Sequence, residues 1–182
     1  VYQCSGNSVW NNGIEIECND WTLSKEAREF LNTKLEESDF SIKTGIHIED
    51  RPGMANFSIV GRGATVEDRA AYVEHEFVHK ERKLIADAFN LKFKESGITA
   101  HVAGETGIDI MPNGHDKGQI IHDFDEQTIY FFGDNMQEGG NDAPLKQAII
   151  NRANTSDRCF SVTDWEHTWN LLQELSKQGL CY

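Results

Sequence analysis

Past Asn113 the chain changes rhythm, and that change limits its possible folds more than any other feature. Helical pattern over 116–124, an apolar strand over 128–133, a helix over 141–152, a strand over 158–162 and a helix over 166–177 follow in turn. Such alternation marks βα units on a parallel sheet, since joining parallel strands takes a crossover of about a dozen residues or more. Between 14 and 112 the pattern differs, with strand pairs and helices in an antiparallel α+β arrangement. The expectation is an α/β protein whose core is built from 1–13 and 113–182, with an α+β lobe, 14–112, inserted between.

Local signals place the elements of that lobe. Asn11-Asn12-Gly13 is a hairpin-type turn between short strands. Ser24 can cap a helix with Glu26 in its first turn and an apolar stripe of Phe30, Leu31 and Leu35. The strands GIHIED and NFSIVGR are separated by Arg51-Pro52-Gly53-Met54, where Pro and Gly mark a bend. Thr65-Val66-Glu67-Asp68 resembles a capping box and opens a helical region to about residue 94. Gly97 ends that region, and ITAHV and GIDIMP read as two more strands.

Composition narrows the partners. The 182 residues are 38% hydrophobic, enough for one sizeable core or a core plus a smaller lobe. The formal net charge is −13, with acidic residues spread along the chain. That balance argues against nucleic acid and against an anionic membrane, both of which need a positive footprint. No apolar run is long enough to span a bilayer, and the first residues lack a signal-peptide profile. Cys4, Cys18, Cys159 and Cys181 are scattered, which is simplest to read as a reduced, cytoplasmic protein. The opening VYQCSGNSVW has no Met and starts in strand-like sequence, so a trimmed or processed piece is expected.

Three features carry candidate chemistry. In IYFFGDNMQEGGNDAPLKQAI an apolar strand runs into an acidic, glycine-containing turn and then a helix. Asp134 closes the strand and Asp142 follows two glycines; carboxylates at this edge of an open α/β sheet lie where ligands bind, and they could hold Mg²⁺. Asp and Asn also favour turns and helix starts for local reasons, so this stretch alone leaves both readings open. Arg51, Arg62 and Arg69 fall around the two strands and the first helical turn of the lobe, and several guanidiniums around a Gly-rich strand end could clamp phosphate. Pairing of each with a nearby carboxylate is the plainer reading from composition. Lys117, at a helix start in GHDKG, could face a phosphate or a catalytic carboxylate. His75-Glu76-Phe77-Val78-His79 is a literal H-E-x-x-H, but the pattern is short, lacks an obvious third ligand and sits in a densely charged stretch, so a solvated helix face is the expectation.

Together these segments resemble the eukaryotic-type phosphomannomutases, haloacid dehalogenase superfamily members with a large inserted cap. RPGMANFSIVGRGATVEDR resembles the family's R-N-G-M-x-N-x-S-P-x-G-R run, followed seven residues later by another Arg. GIDIMPNGHDKGQ resembles S-F-D-V-F-P-x-G-W-D-K. IYFFGDNMQEGGNDAPL resembles Y-F-F-G-D-K-T-x-x-G-G-N-D-x-E-I, and SVTDWEHTWNLLQEL resembles the closing strand and helix. CSGNSVWNNG resembles the segment where core hands over to cap. The resemblance covers essentially the whole chain.

It implies a Rossmann-like haloacid dehalogenase core with an α+β cap. It also implies interconversion of mannose 6-phosphate and mannose 1-phosphate through an aspartyl-phosphate, with Mg²⁺, in a homodimer joined through the cap. Arg51, Arg62 and Arg69 match cap arginines that bind the sugar phosphate, Met54 and Asn56 lie in the same substrate-facing run, and Asp109 matches a sugar-hydroxyl contact. Lys117 matches the lysine that stabilises the phosphorylated aspartate. Asp134 matches the Mg²⁺ ligand and Asp142 a second acidic residue of that loop.

The sequence departs from the family pattern at Gly107 (Ser in the family), at His115, and at Asn135-Met136 after the metal aspartate. The superfamily's first motif, D-x-D-G-T, is absent from the 182 residues. The expectation is therefore a fragment lacking the nucleophile, inactive alone. A sugar-phosphate phosphatase of the same superfamily and a non-catalytic sugar-phosphate-binding remnant are the alternatives.

Overall fold

The fold comes from a computed structural model, which describes residues 1–124 and 127–180. The chain divides into two units, Val1–Gln119 and Ile120–Tyr182.

The first unit opens with a three-stranded antiparallel sheet of β1 (Tyr2–Gln3), β2 (Ser8–Asn11) and β3 (Ile14–Cys18). Asn12 and Gly13 turn β2 into β3 with φ of +49° and +80°, the double positive φ that a tight hairpin requires and that Asn-Gly tolerates. Next comes α1 (Lys25–Glu37), with the Ser24 side chain accepting the Ala27 N–H at 3.2 Å. A second sheet follows, with β4 (Ile48–Arg51), β5 (Met54–Phe57), β6 (Ile98–Ala103) and β7 (Gly107–Pro112) in the order β4-β5-β7-β6. Every pair in it is antiparallel. Between β5 and β6 lie α2 (Val66–His79) and α3 (Glu81–Lys92).

Side chains alternate across a strand with period two, and here that sorts the sheet into an apolar face and a polar one. Ala55, Phe57, Ala100, Ile108 and Ile110 are buried in one cluster with Leu31 of α1, Tyr72 of α2 and Phe89 of α3. The residues between them, including Glu49, Asn56, His101 and Asp109, therefore stand on the opposite face. Burial pushes the Tyr72 phenol far above its ordinary pKa, and its hydroxyl donates to Glu81 at 3.2 Å.

Two expectations for this unit need correction. The helical region is broken at Lys80, which takes a left-handed φ of +52° and separates α2 from α3. The break is fastened by Glu76, whose carboxylate accepts the Arg82 N–H at 3.0 Å from the next helix. The capping box that starts α2 is present, with Thr65 and Asp68 bonded reciprocally. The strand expected over NFSIVGR ends at Phe57. Beyond it the chain pairs irregularly with 44–47, through Ser58 N–H to His47 O and Arg62 N–H to Ile46 O, both 2.9 Å. Gly61 makes that approach possible: a Cβ there would lie 1.9 Å from the Thr44 carbonyl oxygen.

The second unit holds β8 (Tyr130–Gly133) and β9 (Arg158–Ser161), which pair in parallel as the alternation required. The connection carries α4 (Ala143–Asn151), with Pro in its first turn, and α5 (Trp165–Lys177) follows β9. Ile121, Leu145 and Ile149 form its buried cluster, with Ile129, Phe131 and Cys159 packed against them. The helix expected over 116–124 is instead a run of 3₁₀ turns over Lys117–Phe124. The Asp116 carboxylate accepts the Gly118 N–H at 2.8 Å, a side-chain turn that competes with an α-helical start.

Cys4, Cys18 and Cys159 are free thiols, and Cys181 lies outside the described residues. Among the described residues no helix is long and apolar enough to cross a membrane.

Candidate functional site

The polar face of the second sheet is organised by strand register. Glu49 lies opposite Asn56 on β4 and β5, Asn56 opposite Asp109 on β5 and β7, and Asp109 opposite His101 on β7 and β6. Four polar residues from four strands thus form one cross-strand row. Within it the Asn56 amide donates to an Asp109 carboxylate oxygen at 2.7 Å. Burial pushes the Asp109 carboxyl above its ordinary range, while the Asn56 hydrogen bond and the charges of Arg51, Lys117 and His101 pull the other way. Arg51 and Lys117 are therefore near enough to act on Asp109 electrostatically.

Arg51, at the end of β4, and Arg62, beyond β5, converge on a single carboxylate. Arg51 Nε donates to Glu49 Oε2 at 2.7 Å and Arg62 Nε to the same oxygen at 3.0 Å. The Nη2 groups of both close on that oxygen as well. Arg69, in the first turn of α2, takes another course and reaches the Thr106 hydroxyl at 3.3 Å. Met54 is buried on the same strand as Asn56 and shares its side of the sheet. The structure thus brings Arg51 and Arg62 together on Glu49, at one end of the row, and Asn56 and Asp109 together within it.

Gly107 belongs to this arrangement. A Cβ at Gly107 would lie 2.7 Å from the Asn56 amide nitrogen, so the absence of a side chain there leaves room for the Asn56–Asp109 bond. The Pro52-Gly53 turn that aligns β4 with β5 is seated on Asn7. The Gly53 N–H donates to Asn19 O at 2.9 Å, and a Cβ on Gly53 would fall 2.4 Å from the Asn7 side chain. Asn7 in turn donates to the His115 carbonyl at 3.1 Å, two residues before Lys117.

In the second unit Asp134 is exposed directly after β8, and Asp142 is buried at the start of α4. Asp142 closes the loop between them: its carboxylate accepts the Asn135 N–H and its own N–H donates to Asn135 O, both at 3.1 Å. Gly133 lets the carboxylate sit there, since a Cβ would meet it at 2.6 Å. Asp142 is the N-cap residue of α4, yet its side chain makes no cap bond to that helix.

The H-E-x-x-H stretch lies on α2, with the His75 and His79 rings stacked 4.1 Å apart. Glu76, the general base of a zinc reading, faces Arg82 Nε at 3.3 Å as well as accepting its backbone N–H. Among the described residues no group of three or more His, Cys, Asp or Glu is placed to hold a metal ion.

Sequence reasoning missed Glu49 and His101. The signal for Glu49 was available: a two-residue Pro52-Gly53 turn sets Arg51 opposite Met54, and counting back sets Glu49 opposite Asn56. His101 follows only once β6 is paired with β7.

The family profile described as eukaryotic phosphomannomutase matches residues 6–177, nearly the whole chain. The chain belongs to that family. The phosphomannomutase of Oryza sativa subsp. indica is 30% identical over 148 residues, covering 75% of this chain and 60% of the rice protein. That of Spinacia oleracea is 36% identical over 153 residues, covering 78% of this chain and 60% of the spinach protein. The chain therefore spans about 60% of the length of these curated relatives. The N-terminal truncated, IMP-bound IMP-nucleotidase of Plasmodium falciparum aligns over 86% of this chain and 39% of its own, at a TM-score of 0.45 and 15% identity. That likeness is too slight to bear on fold. In the first unit, strand register places Arg51, Met54, Asn56 and Asp109 on one sheet face, whereas Arg62, Arg69 and Lys117 lie off the strands.

Proposed function

We propose that this chain carries the substrate-binding lobe and part of the haloacid dehalogenase-type core of an enzyme that interconverts mannose 6-phosphate and mannose 1-phosphate. The observation that supports this most is the polar row: two arginines joined at one end, and a part-buried Asn56–Asp109 pair beside them. Guanidiniums suit a phosphate, and a carboxylate–amide pair suits the vicinal hydroxyls of a sugar. In this reading Arg51, Arg62 and Arg69 bind the phosphate, while Met54 forms the floor beside Asn56. Asp109 accepts a sugar hydroxyl, and Lys117 stabilises a phosphorylated aspartate.

Asp134 and Asp142 are the proposed Mg²⁺ residues. The donor chemistry fits, because Mg²⁺ takes oxygen ligands and commonly binds through one or two carboxylates with waters and substrate phosphate. Asp134 presents an exposed carboxylate, and Asp142 holds its loop closed through Asn135. When bound, the cation would offset charge repulsion between a carboxylate nucleophile and the incoming phosphate. No D-x-D-G-T run occurs in the 182 residues, so turnover is expected only when that nucleophile is supplied.

A homodimer through the inserted lobe belongs to the same reading. Val66, Val73 and Phe77 are exposed on α2 at helical spacing, with Phe77 at 75%, and a second copy would cover them. A cytoplasmic setting suits the free thiols.

The test is calorimetric titration of the chain with mannose 1-phosphate. Wild type should bind, and Arg62→Ala and Arg69→Ala should each weaken binding by roughly 1.5–3 kcal/mol, the range for a charge-assisted hydrogen bond. Unchanged affinity in both variants would refute the reading.

A further inference from the structure

A carboxylate in the middle of a phosphate clamp looks counterproductive, since it cancels half of the positive charge the clamp offers. Glu49 nevertheless sits there, and its place is set by the fold. It is on β4, two residues before Arg51 and opposite Asn56. One oxygen, Oε2, accepts from Nε of Arg51 and from Nε and Nη2 of Arg62, and forms an ion pair with Nη2 of Arg51.

The edge that Glu49 uses matters. A guanidinium offers five N–H donors in a fixed plane. Glu49 takes the Nε–Nη2 side of each arginine, which leaves the Nη1 side of each directed away from that carboxylate. Two arginines bridged at their sides are held with less freedom than two solvated ones. Ordering long side chains is a cost that binding otherwise has to meet.

We propose that Glu49 is the positioning residue of the clamp: by bridging the Nε–Nη2 edges of Arg51 and Arg62 it presents their remaining N–H groups as one preset pair to a phosphate. This rests on the sugar-phosphate reading above. It makes a prediction opposite in sign to simple electrostatics. Removing a negative charge from an anion site should tighten binding if charge alone governs. Removing a positioning bridge should weaken it.

The experiment titrates wild type, Glu49→Gln, Glu49→Asp and Arg62→Ala with mannose 1-phosphate at several sodium chloride concentrations. Melting midpoints are followed in parallel. Glu49→Gln keeps the size of the side chain and loses its charge, and binding should weaken about tenfold, equivalent to roughly 1.4 kcal/mol. Glu49→Asp keeps the charge and shortens the reach, so it should weaken binding as well. Salt should weaken binding more steeply in Glu49→Gln than in wild type, because the uncancelled arginines interact more strongly with the ligand's charge. A carboxylate that only supports the fold would lower the melting midpoint without steepening that dependence. Glu49→Gln binding as tightly as wild type or tighter, while Arg62→Ala loses binding, would overturn the positioning role and leave the sugar-phosphate reading standing. Wild type and Arg62→Ala binding alike would instead overturn the reading, and the proposal with it.

Discussion

The two units of this chain solve the same problem with unequal means. In the first, a four-stranded antiparallel sheet lays its apolar face under three helices, and sixteen buried residues form one cluster. In the second, two parallel strands of four residues each share a cluster that, among the described residues, has three buried members, Ile121, Leu145 and Ile149. Their candidate residues differ in the same way. Arg51, Arg62, Asn56 and Asp109 are fixed on strands or beside them by mutual bonds. Asp134 and Asp142 belong to a loop, in which Asp142 is tied to Asn135 while Asp134 is exposed. A broad sheet face presets a polar surface; a short parallel pair leaves its chemistry to the loop at its end.

Hydrogen exchange gives the sharpest way to break this comparison. Local opening is easiest where few apolar contacts are buried. Backbone amides of β5 and β7 should exchange at least about a hundredfold more slowly than those of β8 and β9, a difference of roughly 2.7 kcal/mol in opening free energy. Equal protection in both units would show that buried area is not what separates them.

Core truncation probes the same contrast from the side of the first unit. Phe89 is fully buried and stands edge-on to Phe30 at 5.7 Å, with Phe93 at 4.5 Å. Phe89→Ala should cost about 3–5 kcal/mol in a denaturant titration, as large-to-small aromatic changes do. The first unit should carry that loss, leaving exchange in β8 and β9 little changed. Equal acceleration of both units would mean that they unfold as one.

Several elements of both units were legible in the sequence, for reasons tied to particular residues. Asn12-Gly13, Ser24 and the Thr65–Asp68 box each act within a few positions, and local bonds of that kind follow from residue type. The parallel pairing of β8 with β9 followed from the helix between them. The break at Lys80 did not, because nothing about a lysine announces a left-handed φ; the break depends on Glu76 reaching the N–H of Arg82 in the next helix. The early end of β5 also escaped, since Ser58 to Arg62 continue in strand-like sequence while bonding irregularly to 44–47. For the site, motif matching selected the arginines and Asp109, but the joining of two arginines by Glu49 needs the register of β4 on β5.

The loop of the second unit offers a smaller contrast between two neighbouring carboxylates. Asp142→Ala removes the acceptor for the Asn135 N–H and should destabilise the second unit by about 1–3 kcal/mol, the cost of leaving a buried group unsatisfied. Asp134 is exposed, so Asp134→Asn should leave the melting midpoint unchanged while weakening any Mg²⁺-dependent phosphate chemistry. A comparable loss of stability in both variants would remove the distinction between a loop-closing and a ligand carboxylate.

The smallest effect separates the units by the sign of their response to pH. Burial raises the Asp109 carboxyl above its ordinary range. Its contribution to stability is therefore fully present below the unfolded-state pKa and is lost as pH rises through the folded value. Asp164 is the reverse case, with its pKa lowered chiefly by the His167 N–H that it accepts as the cap of α5. That contribution is present above the unfolded-state pKa and is lost as pH falls through the folded value. Asp109→Asn should therefore raise the melting midpoint at neutral pH, and its advantage over wild type should shrink in acid. Asp164→Asn keeps a capping oxygen and should differ from wild type most at neutral pH, converging with it in acid. Melting curves from pH 7 down to pH 3 would test both, and an Asp109→Asn advantage that grew on acidification would show that desolvation does not dominate at the centre of the polar row.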